Sequence, residues 1–268
     1  MAIISAPQVP AVLGDKEANL RTIERFARKG KAGLLLFPEI FLTGYIIRDD
    51  LRRLAEPIDG PSVRRVSKLA KAAGACIVFG MSEKDERRRG VIYNTAVVCL
   101  PDGDVGRYRK MYIANFGPFE ERFYFAAGSD APIFDTPAGK LGITICFDIF
   151  FPELSRLYAL KGADIIACIS ASPSATRPFF EKVTLARAIE NTAFVAFSNH
   201  VGTQRDFVFW GGNRVIGPRG EIKAQGQPYK ECEVAAEIGH HELEIARPYR
   251  PTLKESRKEI FKALYELD

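Results

Sequence analysis

The chain has 268 residues, 47% of them hydrophobic and 26% charged, with a formal net charge of +5 at pH 7. That is enough apolar mass for a full core and lies near the upper size of one domain, so a single domain over 1–268 is expected. No apolar run approaches the roughly 20 residues of a membrane span, and the basic clusters Arg52-Arg53 and Arg87-Arg88-Arg89 are as short as solvated surface charge usually is, so neither a membrane nor a nucleic acid is expected as a partner.

The N-terminal segment Met1-Ala2-Ile3-Ile4-Ser5-Ala6-Pro7 has no basic n-region and too short an apolar stretch for a signal peptide. Asp15 reads as the cap of a helix with the stripe Leu20, Ile23 and Ala27, ending at Gly30. Residues 33–37 read as a strand, and Pro61 opens a helix with Val63, Val66, Ala70 and Ala73 on one face, closed by Gly74. A buried strand follows at 75–80. Three Pro-x-Gly segments, Pro101-Asp102-Gly103, Pro137-Ala138-Gly139 and Pro218-Arg219-Gly220, each join two apolar runs and predict hairpins. The run 141–145 is a strand leading into a helix that Pro152 opens and Gly162 ends. Strands at 164–169 and 193–198 bracket a helix over 178–190. Hairpins mixed with crossover helices predict an α/β fold of four layers, two mixed sheets packed together with helices outside. No Gly-x-Gly fingerprint follows any strand, which speaks against a doubly wound nucleotide-binding sheet.

Of the five cysteines, Cys76, Cys99 and Cys168 fall inside apolar strand-like runs, as buried free thiols do. That pattern predicts a reducing, cytoplasmic setting with no disulfide framework. Cys146 differs, because it stands where a strand turns into a helix and backbone N–H groups point outward. Such groups favour a thiolate and can hold an oxyanion. Alone, such a cysteine is most simply a small buried hydrophobe. The argument for chemistry comes from elsewhere: Phe37-Pro38-Glu39 ends a strand with a carboxylate, and Tyr108-Arg109-Lys110 ends another with an amine. Period-two alternation sets Gly106, Tyr108 and Lys110 on one face. Just beyond, 116–121 forms a turn carrying Glu120 and Glu121.

With these segments in place, the chain resembles the carbon–nitrogen hydrolase (nitrilase) superfamily, amidase-like members included, over nearly its whole length. The matching segments are Gln8 with Pro10, Phe37-Pro38-Glu39 with Thr43-Gly44-Tyr45, and Tyr108-Arg109-Lys110. They continue with Cys146-Phe147-Asp148, Phe151-Pro152-Glu153, Arg187-Ala188-Ile189-Glu190-Asn191 and Gly217-Pro218-Arg219-Gly220. The resemblance implies an αββα sandwich, catalysis without cofactor or metal, a small-molecule amide substrate, and assembly into homodimers or higher homo-oligomers. It carries Glu39, Lys110 and Cys146 over as the triad, and Glu121 matches the second family glutamate better than Glu120 does. Phe147, Tyr45, Tyr112, Ser170 and Ser172 are expected to bind substrate, although Tyr112 stands where many members have histidine. The loop 116–121 is similar to that of amidase-type members, which favours amides over nitriles. Nitrilase and N-carbamoyl amino acid or β-ureidopropionate hydrolase activities are the alternatives. A catalytically idle binding protein has no need of a charged pair beside a thiol.

The chemistry asks for these residue types. Attack on an amide carbon needs a thiol activated by a base such as Glu39, and a donor such as Lys110 or the Phe147 N–H for the oxyanion. A Cys-His protease would need a histidine near Cys146, and only His200, His240 and His241 exist, all far downstream. Adjacent His240-His241 lacks the i, i+4 spacing of a helical metal pair, so surface or packing roles are expected. His200 is expected to line the pocket, Trp210 with Phe207–Phe209 to belong to a strand and an oligomer contact, and Phe179 with Phe180 to shape the acyl pocket.

Overall fold

The computed structural model describes residues 1–267. In chain order, its elements begin with β1 (Ala2–Ser5), α1 (Lys16–Ala27), β2 (Leu34–Leu36), α2 (Leu51–Leu54) and α3 (Pro61–Ala73). Next come β3 (Cys76–Lys84), β4 (Ile92–Cys99), β5 (Val105–Arg109), the short α4 (Glu121–Tyr124), β6 (Phe134–Thr136) and β7 (Gly139–Ile145). The chain continues through α5 (Pro152–Leu160), β8 (Ile165–Ser170), α6 (Arg177–Asn191) and β9 (Phe194–Asn199). It ends with β10 (Val201–Gln204), β11 (Phe207–Trp210), β12 (Arg214–Ile216), β13 (Ile222–Gln225), β14 (Ala235–Ile238), α7 (His240–Tyr249) and α8 (Lys258–Tyr265).

Two six-stranded mixed sheets form the middle layers, in the orders β14-β1-β2-β3-β4-β5 and β13-β12-β9-β8-β7-β6. All three Pro-x-Gly segments close antiparallel pairs, β4 with β5, β6 with β7 and β12 with β13. Helix α1 is capped by the Asp15 side chain and stops at Ala27, one turn short of Gly30. Helix α3 runs from Pro61 to a left-handed Gly74, as its punctuation predicts. Strand β3 extends to Lys84, well beyond the predicted Gly80, because it pairs along its length with β4.

Alternation along the strands builds the layers. Leu34, Leu36, Cys76, Val78, Ala96 and Val98 point into the core between the sheets. Their neighbours Leu35, Ile77, Phe79, Val97 and Cys99 point outward onto Leu20, Ile23, Val63, Val66 and Ala70 of α1 and α3. Trp210 is a correction: it is fully buried in its own chain, stacked on Phe197, and so offers no surface to an oligomer partner.

The topology sends several strand ends to one place. Strands β7, β8 and β9 are mutually parallel, as are β2 and β3. Two antiparallel pairings restore that direction in β5. The residues just beyond β2, β5 and β7 are therefore gathered at one end of the sandwich. The segment after β2 is held against β3, where Gly80 N–H donates to Pro38 O at 3.0 Å and Leu42 N–H donates to Gly80 O at 3.1 Å. A Cβ on Gly80 would collide with the backbone of Glu39 and Ile40. Only glycine allows this approach, and the close contact aims Glu39 inward. Gly80→Ala should therefore destabilise the protein by about 1–3 kcal/mol, the usual penalty of overpacking. Chemical denaturation measures it, and an unchanged midpoint would show that the Glu39 segment can retreat freely.

Candidate active site

Glu39, Lys110 and Cys146 come together where those strand ends converge, and all three are buried. Lys110 Nζ donates to Glu39 Oε1 at 2.9 Å and to Glu121 Oε1 at 2.8 Å. One ammonium thus joins two carboxylates, and all three groups are buried. Burying such charges is tolerable only when each finds partners, and here each does. Glu39 Oε1 also accepts from Asn94 Nδ2 at 2.6 Å, and its Oε2 accepts from the Ala171 N–H at 2.7 Å. Glu121 accepts from the Tyr45 hydroxyl at 2.7 Å and from the Ala114 N–H at 2.9 Å. Glu120, by contrast, is exposed.

The titration of these groups follows from their burial. Desolvation lifts the Glu39 carboxyl above its ordinary range, partly opposed by Lys110 and its hydrogen bonds. Lys110 is desolvated too, yet the two carboxylates hold its pKa well above normal, so it stays an ammonium. The Cys146 thiol is pushed well up by burial and by Glu39, although Lys110 and Ser170 pull it down. With one cation between two carboxylates, a thiolate would add a second net negative charge. The resting cysteine is a neutral thiol whose proton has a carboxylate close by.

Cys146 itself has φ 48°, left-handed for a residue with a side chain. The turn is braced by Asp148, which accepts from the Ile145 N–H at 2.9 Å, the Tyr112 N–H at 2.9 Å and the Tyr108 hydroxyl at 2.7 Å. Burial raises its pKa to about 6, so at neutral pH it is a carboxylate facing three donors. Tyr108 lies on β5, in the other sheet, so this bond ties the Cys146 turn to the strand that carries Lys110.

The expected binding residues divide. Tyr45, Phe147 and Ser172 line a cavity of about 190 Å³ with Cys146 and Glu121, and Phe179 and Phe180 lie on its wall as predicted. Tyr112 does not line it; its ring stacks on Phe151, with centroids 3.5 Å apart. Ser170 lies behind Cys146, its buried hydroxyl near the sulfur and lacking a regular hydrogen bond among the described residues. His200 does not line the cavity either. Burial lowers its pKa to about 4, and its Nε2–H donates to the Glu39 backbone carbonyl at 2.7 Å while Gln204 lies 3.3 Å from Nδ1. Sequence reasoning missed Asn94, Asp148 and this support by His200. Of the three, only Asp148 left a mark, as a carboxylate two residues past the candidate nucleophile in an otherwise apolar run.

With this geometry in hand, comparison with known proteins is direct. The carbon-nitrogen hydrolase family matches residues 1–244. A probable nitrilase of Schizosaccharomyces pombe is 32% identical over 256 residues, which cover 93% of this chain and 92% of that protein. The 2-oxoglutaramate amidase of Bacillus subtilis is 32% identical over 262 residues, covering 96% and 98% respectively. The crystal structure of a carbon-nitrogen hydrolase from Helicobacter pylori superposes with a TM-score of 0.88 at 26% identity, over 99% of this chain and 98% of that one. By sequence and by fold, this chain belongs to the carbon-nitrogen hydrolase family.

Proposed function

We propose that this carbon-nitrogen hydrolase cleaves a small amide through a thioester on Cys146, releasing ammonia and a carboxylic acid. The observation that carries the reading is the single ammonium of Lys110, shared by two buried carboxylates beside a thiol that lines a small cavity. The kinship with amidase- and nitrilase-named proteins supports the same class of reaction.

In this mechanism the Cys146 sulfur attacks the amide carbon as its proton passes to Glu39, the carboxylate raised in basicity by its surroundings. Negative charge then develops on the amide oxygen. An ammonium has three donors, and two of those on Lys110 are engaged with Glu39 and Glu121. The third is left for the oxyanion, with the N–H of Phe147 as second donor. Glu39 returns the proton to nitrogen, the C–N bond breaks, and ammonia leaves a thioester behind. A water that loses its proton to Glu39 attacks the thioester, and the departing sulfur takes that proton back. Glu121 keeps Lys110 charged and fixed, Tyr45 holds Glu121 in place, and Ser170 stabilises negative charge on the sulfur.

The direct test is to trap the acyl-enzyme. Acid quench during turnover should add the mass of the acyl group to Cys146, and Cys146→Ala should abolish ammonia release while keeping the fold. Label on Cys76, Cys99, Cys168 or Cys232 with Cys146 unmodified would sink the assignment.

Replacing the point donor is equally informative. Lys110→Arg keeps the charge, but a planar fork cannot occupy the same place between two carboxylates and an oxyanion. The kcat should fall by at least about a hundredfold, as when one oxyanion donor is lost. KM should change far less, because the contact strengthens only as charge develops; steady-state activity within threefold would refute the role.

The pH profile supplies a third check. Glu39 works only when ionised, so kcat/KM is full at higher pH and falls as pH drops through the Glu39 pKa. Since burial raises that pKa, the midpoint of the acid limb should lie above the ordinary glutamate value of 4.5. A limb at or below that value would mean that another group governs the proton transfer.

A further inference from the structure

The cavity above Cys146 carries information about the acyl group that the triad does not. At about 190 Å³ it is smaller than the roughly 300–1,000 Å³ of pockets for drug-sized ligands, so the acyl group is compact. Its wall is a chain of aromatic rings. Phe116 lies 5.4 Å from Phe119 and 4.8 Å from Phe147, and Phe150 continues the run, 6.0 Å from Phe147 and 5.0 Å from Phe180.

The few polar groups on the wall are already engaged. The Ser172 hydroxyl lies 2.6 Å from Thr176 Oγ1 and accepts from the Trp210 indole N–H at 3.1 Å. Tyr45 donates to Glu121, whose other oxygen is held by Ala114. None of the described lining residues is a cation. Lys110 is not on the lining and is shared between the Glu39 and Glu121 carboxylates. Arg48 lines an adjoining recess that shares Tyr45, Phe119 and Glu121 with this cavity, and it lies 3.5 Å from Asp206, while Arg177 is paired with Glu181 at 2.8 Å.

We propose that this pocket selects an uncharged, apolar acyl group, short branched alkyl or aryl, and rejects amides whose acyl chain ends in a carboxylate or an ammonium. The proposal rests on the amide-hydrolase reading above and narrows it. A carboxylate in this pocket would lose much of its water, find no cation on the wall, and stand near Glu121. An ammonium would meet mainly phenylalanine faces, weaker cation partners than tryptophan, and a carboxylate that already has three donors. An alkyl or aryl group loses nothing polar and buries its surface against the rings.

Isosteric pairs test this. Isocaproamide and succinamate differ only in an isopropyl end against a carboxylate, and valeramide and γ-aminobutyramide in a methyl end against an ammonium. Ammonia release should give a kcat/KM at least about a hundredfold higher for isocaproamide than for succinamate, and at least about tenfold higher for valeramide than for γ-aminobutyramide. Calorimetry with Cys146→Ala should show the same order in binding, free of any effect on the chemical step. Comparable rates or affinities within either pair would overturn the proposal and leave the hydrolase reading standing, since ammonia would still be released. Absence of ammonia from every amide, benzamide included, would overturn the hydrolase reading and this proposal with it.

Discussion

One ammonium shared by two buried carboxylates is the constraint on which the rest of this structure depends. Lys110, Glu39 and Glu121 are each taken out of water, and an unpaired charge in that position would not survive folding as a charge. Lys110 alone cannot satisfy four carboxylate oxygens, so the fold supplies the remaining donors from widely separated segments. Asn94 comes from β4, Ala171 from the end of β8, Ala114 from the loop after β5, and Tyr45 from the segment after β2. Two sheets are needed because neither one holds all of these donors. The His200 ring, bonded to the Glu39 carbonyl, adds a further clamp from the second sheet onto the backbone of the first.

The same arrangement divides the site into two halves with opposite properties. Around Lys110 every oxygen of the two carboxylates is met by a fixed donor, so the proposed transfer of charge to an oxyanion would need little reorganisation. Beside Cys146 the wall is predominantly aromatic. Apolar rings on that wall lower the local dielectric, which strengthens the electrostatics of the polar half. The two halves meet at Cys146 and at Glu121, the one charged residue that faces both the ion cluster and the cavity.

Much of this could be read along the chain. Pro61 and Gly74 bound a helix almost to the residue, and the three Pro-x-Gly turns closed hairpins, because a fixed φ in proline and free positive φ in glycine are local properties. Glu39, Lys110 and Cys146 stand out along the chain because each falls at the end of a strand-like segment in the order the family resemblance implies, and Glu121 because it fits the family's second glutamate better than its neighbour Glu120. Contacts over long sequence distance were not legible. Tyr112 stacks on Phe151 and Trp210 is enclosed by its own chain; nothing near either residue marks that. His200 follows Asn199 where the family resemblance suggests a pocket position, whereas burial leaves it neutral and its Nε2–H is donated to the Glu39 carbonyl. Gly80 looked like a strand ending; it is instead the point where Glu39 crosses β3.

The turn at Cys146 shows how strain and charge are combined. A left-handed φ on a residue with a side chain costs on the order of 1–3 kcal/mol and persists only where its surroundings dictate it. Here they do, because Asp148 binds the N–H of Ile145 on one side and that of Tyr112 on the other. Each end of that clamp carries consequences. Ile145 is the last residue of β7, so its bond sets where the strand stops and the thiol begins to turn. Tyr112 is two residues past Lys110, so its bond sets the distance between the sulfur and the ammonium. The hydroxyl of Tyr108, two residues before Lys110 on the same face of β5, closes the clamp. A carboxylate is the group able to accept from all three donors, since an amide would turn a donor toward one of them. Asp148 therefore links the two residues whose separation matters most without itself facing the cavity. Its position two residues after Cys146 is the local trace of an interaction that spans both sheets.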